Sequence, residues 1–199
     1  MISCSYQKCI QSLTSRDRLY RLSEVLDSFE NRSTKGVYAW WFKHVPAFVP
    51  LNGATRFRGM TLLYVGTSKR PLWKRLREHL GGDASKSTLR RSIGCLMAEQ
   101  LRIEFEVTRV SRGTRCHFGF GSSGELTLSK WMEDNARVSW VQHDQPLLLE
   151  DHLIKTLVIP MNVKGNSHPF ARVLHSRRVA VFDKARASWE RKGADIRQL

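Results

Sequence analysis

Two tyrosines stand in short strand-like segments, Tyr38 in GVYAWWF and Tyr64 in MTLLYVG. On neighbouring antiparallel strands their phenols can reach the same face of a sheet. Arg75 and His79 follow in PLWKRLREHL, where a spacing of four residues puts both on one helix face. A guanidinium can hold phosphodiester oxygens bidentately, and an imidazole can donate or relay a proton. The same residues also allow a purely structural interpretation, in which the tyrosines complete a hydrophobic core and the basic helix face is exposed to solvent.

An acid, Glu150, stands among leucines in LLLEDHLIKTLVIPMN, residues 147–162. Burying an unpaired carboxylate is costly, so the position needs an explanation. One explanation is a place in the first turn of a helix, where the helix dipole stabilises a negative charge. The other is a monodentate ligand for one hard divalent cation, with waters and a phosphate oxygen as the remaining ligands.

The elements that must position these side chains follow from hydrophobic periodicity. β-prone segments predict strands at residues 36–42, 60–66, 103–110 and 137–143, with the first two as an antiparallel hairpin. Apolar stripes predict helices at residues 16–30, 71–80, 87–99, 147–158 and 168–191, the last strongly basic, and a short helix after a Gly-rich turn near residue 120. The predicted fold class is α+β, a small central antiparallel β-sheet flanked by helices. The predicted division is an N-terminal helical extension at 1–35, the sheet domain with insertions at 36–166, and a basic C-terminal helix at 167–199.

The charge of the chain indicates a polyanionic partner. There are 33 Lys and Arg residues against 18 Asp and Glu, a formal net charge of +15. Such an excess is typical of nucleic-acid binding, with an anionic membrane surface as the alternative. No apolar run approaches the roughly 20 residues of a membrane-spanning helix, and the first residues lack a signal-peptide core, so a cytoplasmic protein is expected. The cysteines at positions 4, 9, 95 and 116 form no CxxC pair, which favours reduced thiols over a zinc site.

Four motifs in order, GVY, YVG, LWKRLREHL and LLLEDHLIKTLVIPMNV, resemble the GIY-YIG nucleases over residues 36–162. The last of them is similar to the corresponding helix of the excision-repair nuclease subunit. The resemblance implies a role for each matched residue: Tyr38 and Tyr64 as the active-site tyrosines, Gly66 as the glycine that keeps the strand end open, Arg75 as the phosphate-facing arginine with Arg77 as second choice, His79 as the histidine one turn later, Glu150 as the metal-binding acid, and Asn162 as the polar residue that closes the site.

The resemblance implies hydrolysis of a phosphodiester with Mg²⁺ or Mn²⁺ as cofactor. Water would attack in line, with Tyr38 or His79 as general base, while Arg75 and a metal on Glu150 offset the charge that grows on the phosphate. An ordinary phenol, with a pKa of about 10, is a poor base at neutral pH. The site is therefore expected to lower the pKa of that tyrosine.

Two departures from the family pattern concern the surroundings of the site. The segment between the two tyrosine motifs is unusually long, which predicts a loop that contacts DNA or binds a partner, and Thr67 stands where a lysine is common. Asn166 and His168 follow Asn162 closely enough to reach the site. The residues expected to bind nucleic acid are Lys43, Arg56, Arg58, Lys74, Arg77, Arg172, Arg177 and Arg178.

The resemblance, together with the positive charge, thus implies a metal-dependent endonuclease acting on DNA by a one-metal GIY-YIG mechanism, in defence against foreign DNA or in repair. The alternative is a non-catalytic nucleic-acid-binding or assembly subunit that retains the fold. DNA against RNA, strandedness, sequence specificity, and a homodimer or larger complex stay open at this level.

Overall fold

A four-stranded antiparallel sheet forms the centre of the protein, whose computed structural model describes residues 2–68, 70–111 and 115–196. In chain order the strands are β1 (Gly36–Phe42), β2 (Arg56–Phe57), β3 (Met60–Thr67), β4 (Glu106–Ser111), β5 (Arg115–Gly119) and β6 (Ala136–Gln142). The central sheet has the order β2-β3-β1-β6, and β4 pairs with β5 in a separate two-stranded sheet. The predicted α+β class with a small antiparallel sheet is confirmed.

Helices cover both faces of the central sheet. In chain order they are α1 (Ile2–Leu13), α2 (Leu72–Leu80), α3 (Thr88–Leu101), α4 (Gly121–Asn135), α5 (Pro146–Thr156) and α6 (Phe170–Ile196). Short 3₁₀ turns lie at Arg16–Arg18 and Ala84–Lys86. No helix within the described ranges is long and apolar enough to cross a membrane.

The central strand β1 separates two apolar clusters because its side chains alternate between the faces and all seven residues are buried. Val37, Ala39 and Trp41 belong to the cluster that includes Leu149 and Leu153 of α5. Tyr38, Trp40 and Phe42 belong to the other cluster, which is formed with residues of α2, α3 and α4. Aromatic and β-branched residues suit a strand that is packed on both sides.

The register of the β1–β3 hairpin brings the two tyrosines together. Tyr38 lies opposite Gly66, and Trp40 lies opposite Tyr64. Residues two positions apart point to the same face, so both phenols lie on the face that packs against α2. The predicted hairpin and the shared face of the tyrosines are confirmed.

The helix predicted at residues 16–30 was wrong. Residues 16–30 form no α-helix; they contain the 3₁₀ turn Arg16–Arg18 and a run of turns at 22–28. Leu22, Val25 and Phe29 are nevertheless buried, as the pattern indicated. Tyr20 is extended there because its backbone exchanges hydrogen bonds of 2.9 and 3.0 Å with Val138 of β6.

Further differences from the predicted elements concern residues 103–135 and the N-terminus. The predicted strand at 103–110 begins only at Glu106, and β5 was not predicted. The helix after the Gly-rich turn, α4, has 15 residues rather than a few. Helix α1, which packs beside β6, was not predicted either.

Candidate active site

A series of three hydrogen-bonding side chains links β1 to the start of α3. The Oη atom of Tyr38 lies 2.7 Å from Nε2 of His79, and Nδ1 of His79 lies 2.6 Å from Oγ of Ser87. All three residues are buried, with His79 and Ser87 at 0% exposure and Tyr38 at 1%. The Ser87 hydroxyl also accepts the N–H of Arg90 at 3.1 Å, which caps α3 and fixes the far end of the series.

The environment keeps both Tyr38 and His79 neutral. Burial, with further contributions from the charges of Arg75 and Arg90, holds the pKa of His79 well below its ordinary value. Burial and the neighbouring Tyr64 raise the pKa of Tyr38 well above its ordinary value, while Arg75 opposes the rise. The expectation that the protein alone lowers the pKa of this phenol is therefore wrong, because desolvation disfavours the phenolate more than Arg75 favours it.

The second phenol, that of Tyr64, lies beside the first and is more exposed to solvent. Tyr64 is only partly buried, and its ring centroid lies 6.4 Å from those of Tyr38 and His79. Burial raises its pKa, whereas the positive charges of Arg75 and Arg178 act to lower it. A group that approaches Tyr64 from solvent therefore meets two positive charges.

Gly66 leaves the space that the ring of Tyr38 occupies. A Cβ atom at Gly66 would lie 2.4 Å from Oη and 2.6 Å from Cζ of Tyr38. Any side chain at this position would displace the phenol from His79. The glycine is thus a steric requirement of the Tyr38–His79 contact, in keeping with the role that the resemblance implied for it.

Arg75 is the basic residue of α2 that lies beside the tyrosines. Its Nη1 donates to Oε2 of Glu78 at 2.7 Å and to the Lys86 carbonyl at 2.9 Å. Burial acts to lower its pKa, but the two phenols and Glu78 outweigh burial and raise it, so it stays charged. Arg77, the second choice, is exposed with its Cζ 4.9 Å from the centroid of the Trp73 ring, on another face of the helix.

Glu150 approaches the tyrosines from the opposite face of the sheet, past the end of β3. It is half-buried, and burial raises its pKa, with Lys164 and the Thr67 backbone acting in the other direction. Its charge acts on both phenols and raises their pKa values. Helix α5 begins at Pro146 and has no acid in its first turn. The dipole explanation for Glu150 therefore does not hold.

The convergence of these residues at one end of the β1–β3 hairpin agrees with the match to known families. The sequence model of the GIY-YIG catalytic domain matches residues 36–180. The chain belongs to the GIY-YIG family. Membership in this family of nucleases indicates a nuclease-type function on a nucleic-acid substrate. No curated protein and no solved structure gives a significant match to the chain.

Asn162 of the GIY-YIG domain holds β3 next to the tyrosine motif. Its Oδ1 accepts the Val65 N–H and its Nδ2 donates to the Val65 carbonyl, each at 2.9 Å. Both polar groups of the Asn162 amide therefore bond to the backbone of Val65, the residue between Tyr64 and Gly66. Asn166 donates to the carbonyls of Ile159 and Asn162 at 2.8 Å, and His168 Nδ1 accepts the Phe170 N–H at 3.1 Å. These two side chains shape the segment before α6.

Sequence reasoning missed the residues that support His79 from behind. Besides Ser87, a buried ion pair of Arg90 and Glu125, 2.7 Å apart, fixes this region. Glu125 Oε1 accepts the Ala84 N–H at 2.7 Å, and Arg90 Nη1 reaches the His79 carbonyl at 3.4 Å. The sequence signal was weak: Ser87 stood only as the predicted start of α3.

The expected nucleic-acid-binding residues differ in their exposure to solvent. Seven of the eight are exposed: Lys43, Arg56, Arg58, Lys74, Arg77, Arg172 and Arg177. Arg177 Cζ lies 4.5 Å from the centroid of the Phe48 ring, so the long loop between the motifs meets α6. The eighth, Arg178, is half-buried and its charge reaches Tyr64.

The donor set at the site fits a divalent cation only in part. GIY-YIG nucleases generally depend on such a metal, and Glu150 offers a hard oxygen ligand with no ion-pair partner within the described ranges. No group of three or more His, Cys, Asp or Glu side chains that could hold a metal occurs among the described residues. A single carboxylate suits an ion that keeps most ligands from water and phosphate.

Proposed function

We propose that this GIY-YIG protein is a divalent-metal-dependent endonuclease that hydrolyses phosphodiester bonds, with DNA as substrate. The proposal rests on the convergence of Tyr38, Tyr64, Arg75, His79 and Glu150 at one end of the β1–β3 hairpin. In this proposal residues 36–166 form the catalytic part and the basic helix at 167–199 binds nucleic acid. Cleavage of foreign or damaged DNA is its proposed role.

The proposed reaction begins with proton transfer through Tyr38. The phenolic oxygen takes a proton from the attacking water as its own proton passes to Nε2 of His79, 2.7 Å away. This requires the neutral imidazole tautomer whose Nδ1–H donates to Ser87 Oγ. The hydroxide attacks phosphorus in line, the P–O3′ bond breaks, and solvent protonates the 3′ oxygen, which leaves a 5′-phosphate and a 3′-hydroxyl.

Charge stabilisation in the proposal comes from two directions. Arg75, already fixed by Glu78 and the Lys86 carbonyl, offers its remaining N–H groups to the phosphate oxygens. A divalent cation held by Glu150 would neutralise charge on the phosphate and on the leaving oxygen, and would cancel the upward effect of this carboxylate on the pKa of both phenols. The hydroxyl of Tyr64 would donate a hydrogen bond to the substrate. The net charge of +15 supports a polyanionic substrate.

Cleavage assays with matched acid variants test the proposal. Purified wild type, Glu150→Ala and Asp151→Ala are incubated with labelled single- and double-stranded DNA and RNA, in Mg²⁺, Mn²⁺ or EDTA. Asp151 is the control because it is exposed and pairs with Lys155 on the surface. We expect metal-dependent cleavage by wild type and Asp151→Ala, and none by Glu150→Ala or in EDTA. Binding by all three without cleavage would support the non-catalytic subunit instead.

A further inference from the structure

Two guanidinium groups near Tyr64 lack any carboxylate partner among the residues that the structure describes: Arg91 of α3 and Arg178 of α6. Arg91 is held in place by hydrogen bonds to the carbonyls of Ala84 and Ser85, at 2.7 and 2.8 Å. Arg178 makes no hydrogen bond within the described ranges, although its Nε is buried. One group is therefore fixed and charged, and the other is half-buried with its donors unused.

The packing of α6 on α3 brings the two groups to one place. Leu174 is fully buried and lies one turn before Arg178, so the two residues share the face of α6 that is directed to the interior. Cys95 lies one turn after Arg91 on α3. Burial raises the pKa of the Cys95 thiol to about 12, and the charges of both Arg178 and Arg91 act on it. Both arginines also interact electrostatically with Tyr64, which raises the pKa of each.

Two like charges in a partly dehydrated position oppose folding unless an anion joins them. Burial lowers the pKa of each arginine, and the charges of Arg178 and Arg75 lower that of Arg91 further. The three guanidinium groups border the same tyrosine, but of the three only Arg75 pairs with Glu78, which also pairs with Arg70. An anionic ligand is the counter-charge that would relieve the repulsion between the other two.

We propose that Arg91 and Arg178 bind a phosphate of the nucleic-acid strand that flanks the scissile phosphate. The inference rests on the nuclease function proposed above, in which Arg75 and Glu150 serve the scissile phosphate itself. It assigns to Arg178 a role distinct from that of the exposed cations of α6, because those lie on the solvated side of the helix. It also adds Arg91, which sequence reasoning did not single out.

Thermal unfolding tests the pair without any cleavage readout. Wild type, Arg178→Gln and Arg186→Gln are unfolded at constant ionic strength while inorganic phosphate replaces chloride. Arg186 is the control because it is exposed on the same helix, and Gln has a similar helix propensity. We expect Arg178→Gln to have a higher Tm than wild type without phosphate, since the repulsion is gone. Phosphate should raise the Tm of wild type and Arg186→Gln, but not that of Arg178→Gln.

Binding of a short fluorescent single-stranded DNA in EDTA separates a strand site from a site for free phosphate. We expect Arg178→Gln to bind at least about tenfold more weakly than Arg186→Gln, since a charge-assisted hydrogen bond is lost. The slope of log Kd against log salt should fall by about 0.7 relative to wild type.

Three outcomes would overturn the inference. A lower Tm for Arg178→Gln without phosphate would make Arg178 a structural residue. An unchanged response to phosphate would remove the anion site. A lost phosphate response with unchanged DNA affinity would leave a site for free phosphate or a mononucleotide only. Because none of these readouts needs cleavage, an inactive protein would count against the nuclease proposal alone.

Discussion

The phenolic oxygen of Tyr38 lies 2.7 Å from Nε2 of His79, and the two side chains are buried together. Burial raises the pKa of the phenol and lowers that of the imidazole. The contact is therefore a hydrogen bond between two neutral groups. In the ligand-free protein this contact is structural. In the proposed reaction it becomes a route for a proton once substrate and metal change the local charge.

Replacing Tyr38 by Phe tests both aspects of this contact. The change leaves Nε2 of His79 buried without a partner, which should cost about 1–3 kcal/mol in the free energy of unfolding. Cleavage should fall at least about 100-fold, because the proposed proton acceptor is lost. Urea denaturation and single-turnover cleavage measure the two effects. Tyr20→Phe is the control, since Tyr20 is also partly buried but lies away from His79; wild-type cleavage by Tyr38→Phe would refute the role.

Glu150→Gln should stabilise the protein in EDTA while abolishing cleavage. Burial raises the pKa of Glu150 in the folded state, so above the unfolded value of about 4.5 the ionised carboxylate opposes folding, and the amide removes that penalty. Adding Mg²⁺ should raise the Tm of wild type but not of the variant, because a ligand of the folded state stabilises it.

Asp151→Asn is the matched control for Glu150→Gln. Its carboxylate forms a surface pair with Lys155, so its loss should change stability by no more than about 0.5 kcal/mol. Differential scanning fluorimetry with and without Mg²⁺ gives the comparison. A lower Tm for Glu150→Gln in EDTA would show that the carboxylate stabilises the fold instead.

Gly66→Ala should separate the phenol of Tyr38 from the imidazole of His79 without a substitution at either residue. The added Cβ would lie 2.4 Å from the Tyr38 oxygen, so the ring must move, at a cost of about 1–3 kcal/mol. Cleavage should fall nearly as far as in Tyr38→Phe. Gly59→Ala is also strained, with a φ of +72°, but its Cβ meets nothing within 4 Å. That variant should lose stability yet keep its cleavage rate, which a kinetic assay on folded protein would check.

The burial of His79 predicts a pH dependence of stability. Its folded pKa is depressed, so below the unfolded value of about 6.5 the unfolded chain binds a proton that the folded protein does not. The free energy of unfolding should therefore fall as the pH drops below about 6.5, by up to about 1.4 kcal/mol per unit, with no contribution above pH 7.

Comparison of wild type with His79→Gln isolates this contribution. Urea unfolding is measured from pH 7.5 to 5.5, and the variant should show a shallower decline. His44→Gln, which changes an exposed histidine, should decline as wild type does. Parallel curves for His79→Gln and wild type would mean that His79 takes up its proton in the folded state.

Local periodicity predicted the parts of the site that depend on neighbouring residues. The two-residue period of strands put Tyr38 and Tyr64 on one face, and the spacing of four put Arg75 and His79 on one face of α2. Ser87 and Arg91 were not found, because their closeness to the tyrosines depends on how α3 folds back after α2. The helix predicted at 16–30 failed for a similar reason, since the pairing of Tyr20 with Val138 involves a strand much later in the chain.

The hydrogen bonds around Val65 also affect whether another chain can pair with the edge of the central sheet. Beyond the two-residue strand β2, the outer side of β3 is already engaged by the Met161 N–H on the Leu63 carbonyl and by the Asn162 amide on Val65. On the opposite side, Tyr20 takes the hydrogen bonds of Val138 in β6. A row of free backbone groups is what allows a second chain to add a strand and start aggregation. The contacts at Leu63, Val65 and Val138 interrupt that row on both sides of the sheet that carries the tyrosines, so a strand of another copy has fewer free groups to pair with.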